Sequence, residues 1–322
     1  MSKILLTGGS GFIGEYFQRH LPGDQLINLD LLEPKFGYAS TFYQGDIRSE
    51  ADVRAAVSGH DVSTIISLAA KHHDFGIGHD EYFDTNRDGT SIICKVAAEN
   101  NIKEIIFYSS VAVYGDLDKV SSETIEPVPV SPYGASKLAG EKVLSEWAAG
   151  AADRKVTIVR PVVVFGPGNT ANMYNLISQI DSGLYFHLGK GDNIKSIAYA
   201  DNVVRATLFL KERMKPGVAI YNYADDPQLN ARQISEVIAE ALNKKIRITI
   251  PRSVGILLGL PFDLIIRITG KNLPVSSARI RKLGTQTLHS AAKIFGEGFK
   301  PRYTTIEGLK QMVAWFKEKK KA

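Results

Sequence analysis

Lys3-Ile4-Leu5-Leu6-Thr7-Gly8-Gly9-Ser10-Gly11-Phe12-Ile13-Gly14 decides how the rest of the sequence reads. Ile4, Leu5 and Leu6 form a short, wholly apolar run, the pattern of a strand buried on both faces of a parallel sheet. Gly8, Gly11 and Gly14 follow at regular spacing, and an amphipathic segment starts at once with Phe12, Ile13, Tyr16 and Phe17. A strand that turns through glycines straight into a helix presents bare backbone N–H groups at the helix N-terminus, where a pyrophosphate can sit. Three glycines in a loop are otherwise only a turn. Their place between strand and helix makes Gly8, Gly11, Phe12, Ile13 and Gly14 a phosphate cradle.

Leu26-Ile27-Asn28-Leu29-Asp30 reads as a second buried strand that ends in a carboxylate, sixteen positions after Gly14. In a βαβ dinucleotide unit that carboxylate accepts hydrogen bonds from the adenosine ribose. Asp30 would repel a 2′-phosphate, and Leu31 and Leu32 offer no arginine to receive one. The expected cofactor is therefore NAD rather than NADP. The competing reading is that Asp30 caps the next turn.

From these two strands outward, the pattern alternates. Strands are expected at Thr41–Asp46, Val62–Leu68, Ile105–Tyr108 and Val156–Val159, and helices at Ser49–Val57, Asp88–Ala98 and Ser131–Ala149. That alternation predicts an α/β fold with a Rossmann-type doubly wound parallel sheet. After Gly166 the loops lengthen, with turns at Gly166-Pro167-Gly168-Asn169 and Gly189-Lys190-Gly191-Asp192. Helices are expected at Asn172–Ile180, Asp201–Lys211, Ala231–Ala241 and Thr305–Lys317. We expect residues 1–165 to form the NAD-binding domain. Residues 166–322 are expected to form mainly a smaller C-terminal substrate-binding lobe, with some elements returning to the sheet.

Composition excludes several classes. The 322 residues are 44 % hydrophobic and 23 % charged, ordinary for a globular chain. The net charge of +5 is mild, part of it in Lys317, Lys319, Lys320 and Lys321 at what reads as a solvated helix end. Nucleic-acid binding calls for a basic stripe with interleaved aromatics, and the sequence has none. A positive balance suits an anionic small molecule equally well. Cys94 is the one cysteine, so no internal disulfide forms. The chain enters a strand directly, so no signal peptide is expected. Val254–Ile268 is the longest apolar stretch, and Pro261, Asp263 and Arg267 leave it too broken to span a bilayer. A cytoplasmic location is expected.

Two further stretches carry chemistry. Phe107-Tyr108-Ser109-Ser110 is a strand ending in hydroxyls, and Ser131-Pro132-Tyr133-Gly134-Ala135-Ser136-Lys137 opens a helix. Tyr133 and Lys137 stand four apart and share a helix face. A cation beside a phenol favours the phenolate and lowers its pKa from about 10. Tyr133 then serves as acid or base toward a carbon-bound hydroxyl. Ser110 is placed to hydrogen-bond the same oxygen. The Tyr-x-x-x-Lys spacing alone is common on surface helices. Here it follows a glycine cradle and a strand-end serine.

With these residues in view, the chain resembles an extended short-chain dehydrogenase/reductase of the NAD-dependent epimerase/dehydratase family. The matching motifs are Thr7–Gly14, Gly45-Asp46-Ile47, Leu68-Ala69-Ala70, Ser109-Ser110, Tyr133–Lys137, Arg160-Pro161, Phe165–Gly168 and Tyr199–Asn202. The resemblance implies that Asp46 and Ile47 contact adenine and that Ala69 and Ala70 line the dinucleotide. It places Leu68, Ser109 and Pro161 around the dinucleotide as well, and has Lys137 also hold the nicotinamide ribose. Lys195 falls where the family often has an arginine for the substrate diphosphate, with Arg279 or Arg281 as a second phosphate ligand. It also implies a homodimer through the helices Asp88–Ala98 and Ser136–Ala149.

Departures from the family pattern narrow the reaction. Sugar 4,6-dehydratases of the family carry Asp-Glu after the catalytic hydroxyl, because eliminating water needs an acid and a base. This chain has Val111-Ala112. The 3,5-epimerase/reductases place a cysteine after the paired serines, and here there is none. Nucleotide-sugar epimerases usually have an asparagine where this chain has Val163, and Asn172 or Asn175 is a candidate for that amide. In the loop after Ala70, Lys71 and His72 are candidate substrate contacts. His72, His73, Asp74 and His79 lie close in sequence but lack the spacing of a zinc site, so no metal is expected. Leu257–Ile268 reads as a buried helix, with a surface for membrane or lipid-linked sugar as the alternative. The expected activity is an NAD-dependent epimerase acting at C4 of a nucleotide sugar. The alternatives are an NAD(P)H-dependent reductase or dehydrogenase of a 4-keto sugar or other ring alcohol, and a non-catalytic dinucleotide-binding protein.

Overall fold

The computed structural model describes residues 2–35, 37–71, 78–116, 120–257, 263 and 285–321. The N-terminal apolar run is strand β1 (Lys3–Thr7), with Ile4, Leu5 and Leu6 buried. The turn after it opens helix α1 (Phe12–His20), and the second apolar run is β2 (Leu26–Asp30). Then come β3 (Thr41–Gln44), α2 (Glu50–Val57), β4 (Val62–Ser67) and α3 (His79–Phe83). A π-helical turn over Asp84–Asp88 leads into α4 (Gly89–Glu99), followed by β5 (Glu104–Tyr108), α5 (Pro132–Ala149) and β6 (Lys155–Pro161). Caps explain several starts: Ser49 Oγ accepts Asp52 N–H at 3.3 Å, and Ser131 Oγ accepts Gly134 N–H at 3.1 Å. The expected helix at Asp88 begins earlier, because α3 runs through the π turn into α4.

After the short β7 (Val163–Phe165) come α6 (Asn172–Asp181), β8 (His187–Leu188), β9 (Ile197–Tyr199) and α7 (Ala200–Lys211). The chain continues with β10 (Gly217–Tyr223), α8 (Ala231–Ala241) and β11 (Thr249–Ile250). It closes with α9 (Ala292–Gly296) and α10 (Thr305–Lys321).

Seven strands form one sheet in the order β10-β6-β5-β4-β1-β2-β3, every neighbour parallel. This is the expected Rossmann-type α/β fold. The order reverses beside β1, which pairs with β2 on one side and β4 on the other. In such sheets the ligand crevice opens at that switch point, beyond the carboxyl ends of the strands. Sequence reading missed β10. Its first residues are exposed and its last are buried, as at a sheet edge, although Val218-Ala219-Ile220-Tyr221 is a continuous apolar run that could have marked it.

The chain folds as two compact units. The first comprises residues 1–164, 200–224 and 289–302, and the second 165–199, 225–288 and 303–322. In the first, Leu5, Ile27, Ile65, Ile105 and Ile158 from five adjacent strands meet α2, α4 and α5 in one core. Truncating one of these fully buried side chains to alanine costs roughly 2–5 kcal/mol. In the second, α6, α8 and α10 close over Phe165, Ile177, Ile238, Leu309 and Met312. The Lys-rich tail is the end of α10, and two of its lysines make hydrogen bonds. Lys317 Nζ donates to Ala241 O and Lys320 Nζ to Asp181, each at 2.6 Å. No helix among the described residues is long and apolar enough to cross a membrane.

Candidate active site

The glycine turn is built by backbone crowding. Gly8 sits at φ 75°, and a Cβ there would stand 2.7 Å from the Ala69 nitrogen. A Cβ on Gly14 would stand 2.5 Å from the Gly9 backbone, so the helix can follow the strand this closely only with glycine in place. Gly11 differs: a Cβ there would meet only the Gly8 carbonyl, at 3.2 Å, so the space above the turn is open. Gly11 is also the N-cap of α1 and supplies no capping side chain. The first-turn N–H groups are left for an outside acceptor, with the positive end of the helix dipole behind them. This cradle fits the pyrophosphate of a dinucleotide.

Asp30 lies at the carboxyl end of β2, half-buried, and its carboxylate accepts the Ser10 N–H at 2.9 Å and the Leu32 N–H at 3.1 Å. A carboxylate has about four acceptor sites, so two remain for ribose hydroxyls. Leu31 and Leu32 are exposed. Asp46 is engaged by Arg48, whose Nη2 donates to it at 2.6 Å, and this hydrogen bond holds its carboxyl below the usual range. Both residues line an open cleft with Ser49, Asp84, Asp88 and Ile92. Ile47, read as an adenine contact, is 5 % exposed and packs in the core. Leu68, Ala69, Ala70 and Lys71 are half-buried after β4, and the Ala69 N–H is held by the Thr7 carbonyl at 3.1 Å. Pro161 is buried at the end of β6.

Helix α5 carries Tyr133 and Lys137, the residues that the sequence reading expects to handle a proton. Tyr133, in its first turn, is half-buried, its ring 6.2 Å from that of Tyr82. Lys137 is 2 % exposed; its Nζ donates to Tyr108 O at 2.7 Å and stands 4.7 Å from the centre of the Phe107 ring. Burial pushes the ammonium down to about 7, against an upward pull from Glu141. Burial thus disfavours the charged form of Lys137. Ser110 is half-buried, and its Oγ accepts the Ala112 N–H at 3.1 Å, leaving its proton to donate. Val111 and Ala112 open the 3₁₀ turn beside it and carry no titratable group.

Ser109 points elsewhere. It is buried and donates its hydroxyl to Glu141. Glu141 in turn holds Arg160, whose Nε donates to it at 2.8 Å, and Arg160 Nη1 donates to Tyr114 OH at 2.8 Å. Sequence reading missed Glu141, although it continues the four-residue spacing of Tyr133 and Lys137. It also missed Asn86, in the π turn. The Asn86 amide donates to Ser136 Oγ at 2.9 Å and to Lys71 O at 3.0 Å, and its carbonyl accepts the Lys71 N–H at 3.1 Å. One buried side chain thus ties the loop after β4 to α5.

Asn172 and Lys195 lie in the second unit. Asn172 is exposed at the start of α6, and Lys195 Nζ donates to Thr285 O at 2.6 Å. His72, Arg279 and Arg281 lie outside the described residues, as do His73 and Asp74 and most of 257–268. Among the described residues no cluster of three or more His, Cys, Asp or Glu is arranged to hold a metal. Cys94 is buried, its thiol pushed up to about 12 by burial, and is inert.

Comparison with known proteins gives three results. The family model described as "NAD dependent epimerase/dehydratase family" matches residues 4–224. The chain is 38 % identical over 311 residues to the N-acetyl-alpha-D-glucosaminyl-diphospho-ditrans,octacis-undecaprenol 4-epimerase of Escherichia coli O157:H7, covering 95 % of this chain and 93 % of that one. Among solved structures, MoeE5 in complex with UDP-glucuronic acid and NAD superposes with a TM-score of 0.78 at 22 % identity, covering 99 % and 100 %. The UDP-glucose 4-epimerase of Thermus thermophilus in complex with NAD does so with 0.76 at 22 %, covering 98 % and 99 %. At these identities the two structures speak to the fold.

Proposed function

The chain belongs to the NAD-dependent epimerase/dehydratase family, and from that premise we propose that it is a 4-epimerase of a sugar carried on a diphosphate. The observation that carries the choice of reaction is Val111-Ala112 directly after Ser110. Neither side chain moves a proton, so this position lacks the extra acid and base that eliminating water requires. Inverting a hydroxyl needs one proton-handling group that ends the cycle as it began, and Tyr133 is that group.

Gly8, Gly11, Phe12, Ile13 and Gly14 hold the pyrophosphate, Asp30 the adenosine ribose, and Lys137 the second ribose. Reversible hydride exchange at C4 is the chemistry that a bound NAD would supply. Tyr133 removes the proton of the 4-hydroxyl and later returns one to the 4-keto oxygen. Ser110 donates a hydrogen bond to that oxygen and stabilises the charge it gains. Lys195 and Asn172, which belong to the second unit, are carried over from the sequence reading as contacts for the diphosphate and the sugar.

The carrier is proposed to be a polyprenol rather than a nucleoside. The 38 % identical relative acts on an undecaprenol-linked sugar, and Val163 replaces the asparagine that nucleotide-sugar epimerases of the family usually have. Val163 is 50 % exposed. A homodimer through α4 and α5 is carried over from the resemblance, and sedimentation velocity tests it. For the reaction, the test is incubation of the NAD-loaded protein with polyprenyl-diphosphate N-acetylglucosamine and, separately, UDP-N-acetylglucosamine. Formation of the 4-epimer, lost in Tyr133→Phe with NAD still bound, is expected. Cofactor-loaded protein that epimerises neither refutes the reading, and turnover of UDP-sugar alone refutes the choice of carrier.

A further inference from the structure

The second unit presents a face that the epimerase reading does not use. Leu184 and Phe186 are 75 % and 43 % exposed, whereas Tyr185 is half-buried and His187 is 4 % exposed. That alternation is the mark of extended chain with one side outward. The parallel pairing of β8 with β11 brings Ile248, 58 % exposed, beside Phe186, and the His187 N–H donates to Ile248 O at 2.9 Å. Beyond β11, helical residues 252–257 expose Val254 (43 %) and Leu257 (64 %).

Exposed cations are in excess beside these side chains, with Glu236 near His187 and Asp181 before Leu184 each facing a cation of its own. Lys244, Lys245, Arg247 and Arg252 are exposed, and residues 243–257 contain no Asp or Glu. Lys190 is exposed next to Gly189, where an added Cβ would stand 3.7 Å from that of Arg252. The whole chain carries a net charge of +5.

We propose that this face docks on an anionic bilayer surface. Leu184, Phe186, Ile248 and Val254 enter the headgroup boundary, while Lys244, Lys245 and Arg247 meet lipid phosphates. A second copy of the chain is a poor occupant, because a two-fold interface would set these cations against each other. The docking is a property of the surface and stands whether or not the sugar carrier is a lipid.

The test uses the full chain and vesicle flotation, with phosphatidylglycerol-containing vesicles against phosphatidylcholine alone at low and high salt. Binding to the anionic vesicles only, weakened by salt, is expected. Lys244→Gln, Lys245→Gln and Arg247→Gln combined are expected to lower the partition coefficient roughly a hundredfold, at about fivefold per cation. Phe186→Ser with Ile248→Ser is expected to lower it as well. Both variants are expected to keep the wild-type circular dichroism spectrum and NAD affinity, which separates lost docking from lost folding. No flotation with anionic vesicles, equal flotation with neutral ones, or binding unchanged in the triple variant overturns the proposal. So does self-association abolished by Phe186→Ser, which would make the face a contact between copies. Flotation does not depend on turnover, so failure of the epimerase assay leaves this result readable.

Discussion

Replacing Lys137 with methionine is expected to make the cofactor-free protein more stable at neutral pH while removing its activity. The Lys137 ammonium lies in the core, where burial lowers its pKa from 10.5 to about 7. Between those two values the unfolded chain holds a proton that the folded chain has given up, so this residue's contribution to stability rises with pH across that window. At and below pH 7 the penalty is nearly complete. At 1.36 kcal/mol per pH unit it amounts to about 4 kcal/mol at pH 7.

Methionine fills a similar volume without the charge. It gives up the hydrogen bond to Tyr108 O and the contact with the Phe107 ring. Together these are worth about 2 kcal/mol. The balance favours the variant by about 2 kcal/mol at pH 7, vanishes near pH 9 and reverses above it. The assay is urea unfolding from pH 6 to pH 10, followed by Trp147 fluorescence in a Trp315→Phe background. Trp147 belongs to α5, so the signal comes from the helix that carries Lys137. A methionine variant less stable than wild type at pH 7, or a stability difference flat with pH, refutes the reasoning. Turnover in the same variant is expected to fall by a factor of about 10²–10⁴.

Gly14→Ala sets a Cβ 2.5 Å from the Gly9 backbone and forces the cradle open, so calorimetry is expected to show NAD affinity down by more than about tenfold. Gly11→Ala, with only the Gly8 carbonyl at 3.2 Å, is expected to cost less, and equal losses would contradict the crowding argument. Glu141→Gln leaves the Arg160 guanidinium, 2 % exposed, without its counter-charge and is expected to cost about 3–5 kcal/mol in urea unfolding. Glu141→Leu with Arg160→Met is expected to recover most of that; a double variant as unstable as the single one would show that the pair is not the cause. Asp30→Ser with Leu31→Arg removes the charge that repels a 2′-phosphate and adds one that receives it. The NAD-to-NADP preference, read as the ratio of the two Kd values, is expected to shift toward NADP by more than about tenfold.

Most of the fold was legible because its strands are buried on both faces. Leu5, Ile27, Ile65, Ile105 and Ile158 each sit in an apolar run that only a covered parallel sheet accommodates. β10 escaped although Val218-Ala219-Ile220-Tyr221 is such a run. The π turn at Asp84–Asp88 escaped because its cause is tertiary: the Asn86 side chain turns away from the helix to Ser136 and Lys71, a pairing that local spacing does not encode. Tyr133, Lys137 and Ser110 were legible from type and spacing. The environment of Lys137 was not, since burial depends on Phe107 and Tyr108, far away in sequence. Ile47, read as an adenine contact, shows the same dependence on packing. A motif position names a neighbour of the cofactor, while the direction of the side chain is set by packing, here against Gly89.

Helix α5 shows why these particular residues go together. Ser136, Lys137 and Glu141 are buried on a helix that packs against α4 and the π turn. An apolar stripe would pack there at lower cost, since burying an ion takes several kcal/mol unless a partner offsets it. Each polar group is offset differently. Glu141 is fully engaged by Arg160 and Ser109, Ser136 by Asn86, and Lys137 only by a neutral carbonyl, a ring face and a carboxylate already committed to Arg160. The first two arrangements make a rigid frame. The third leaves a cation poised near neutrality, one helical turn from a half-buried phenol. The frame holds the lysine in a place that disfavours its charge. A solvated surface lysine at the same spacing would carry no such penalty.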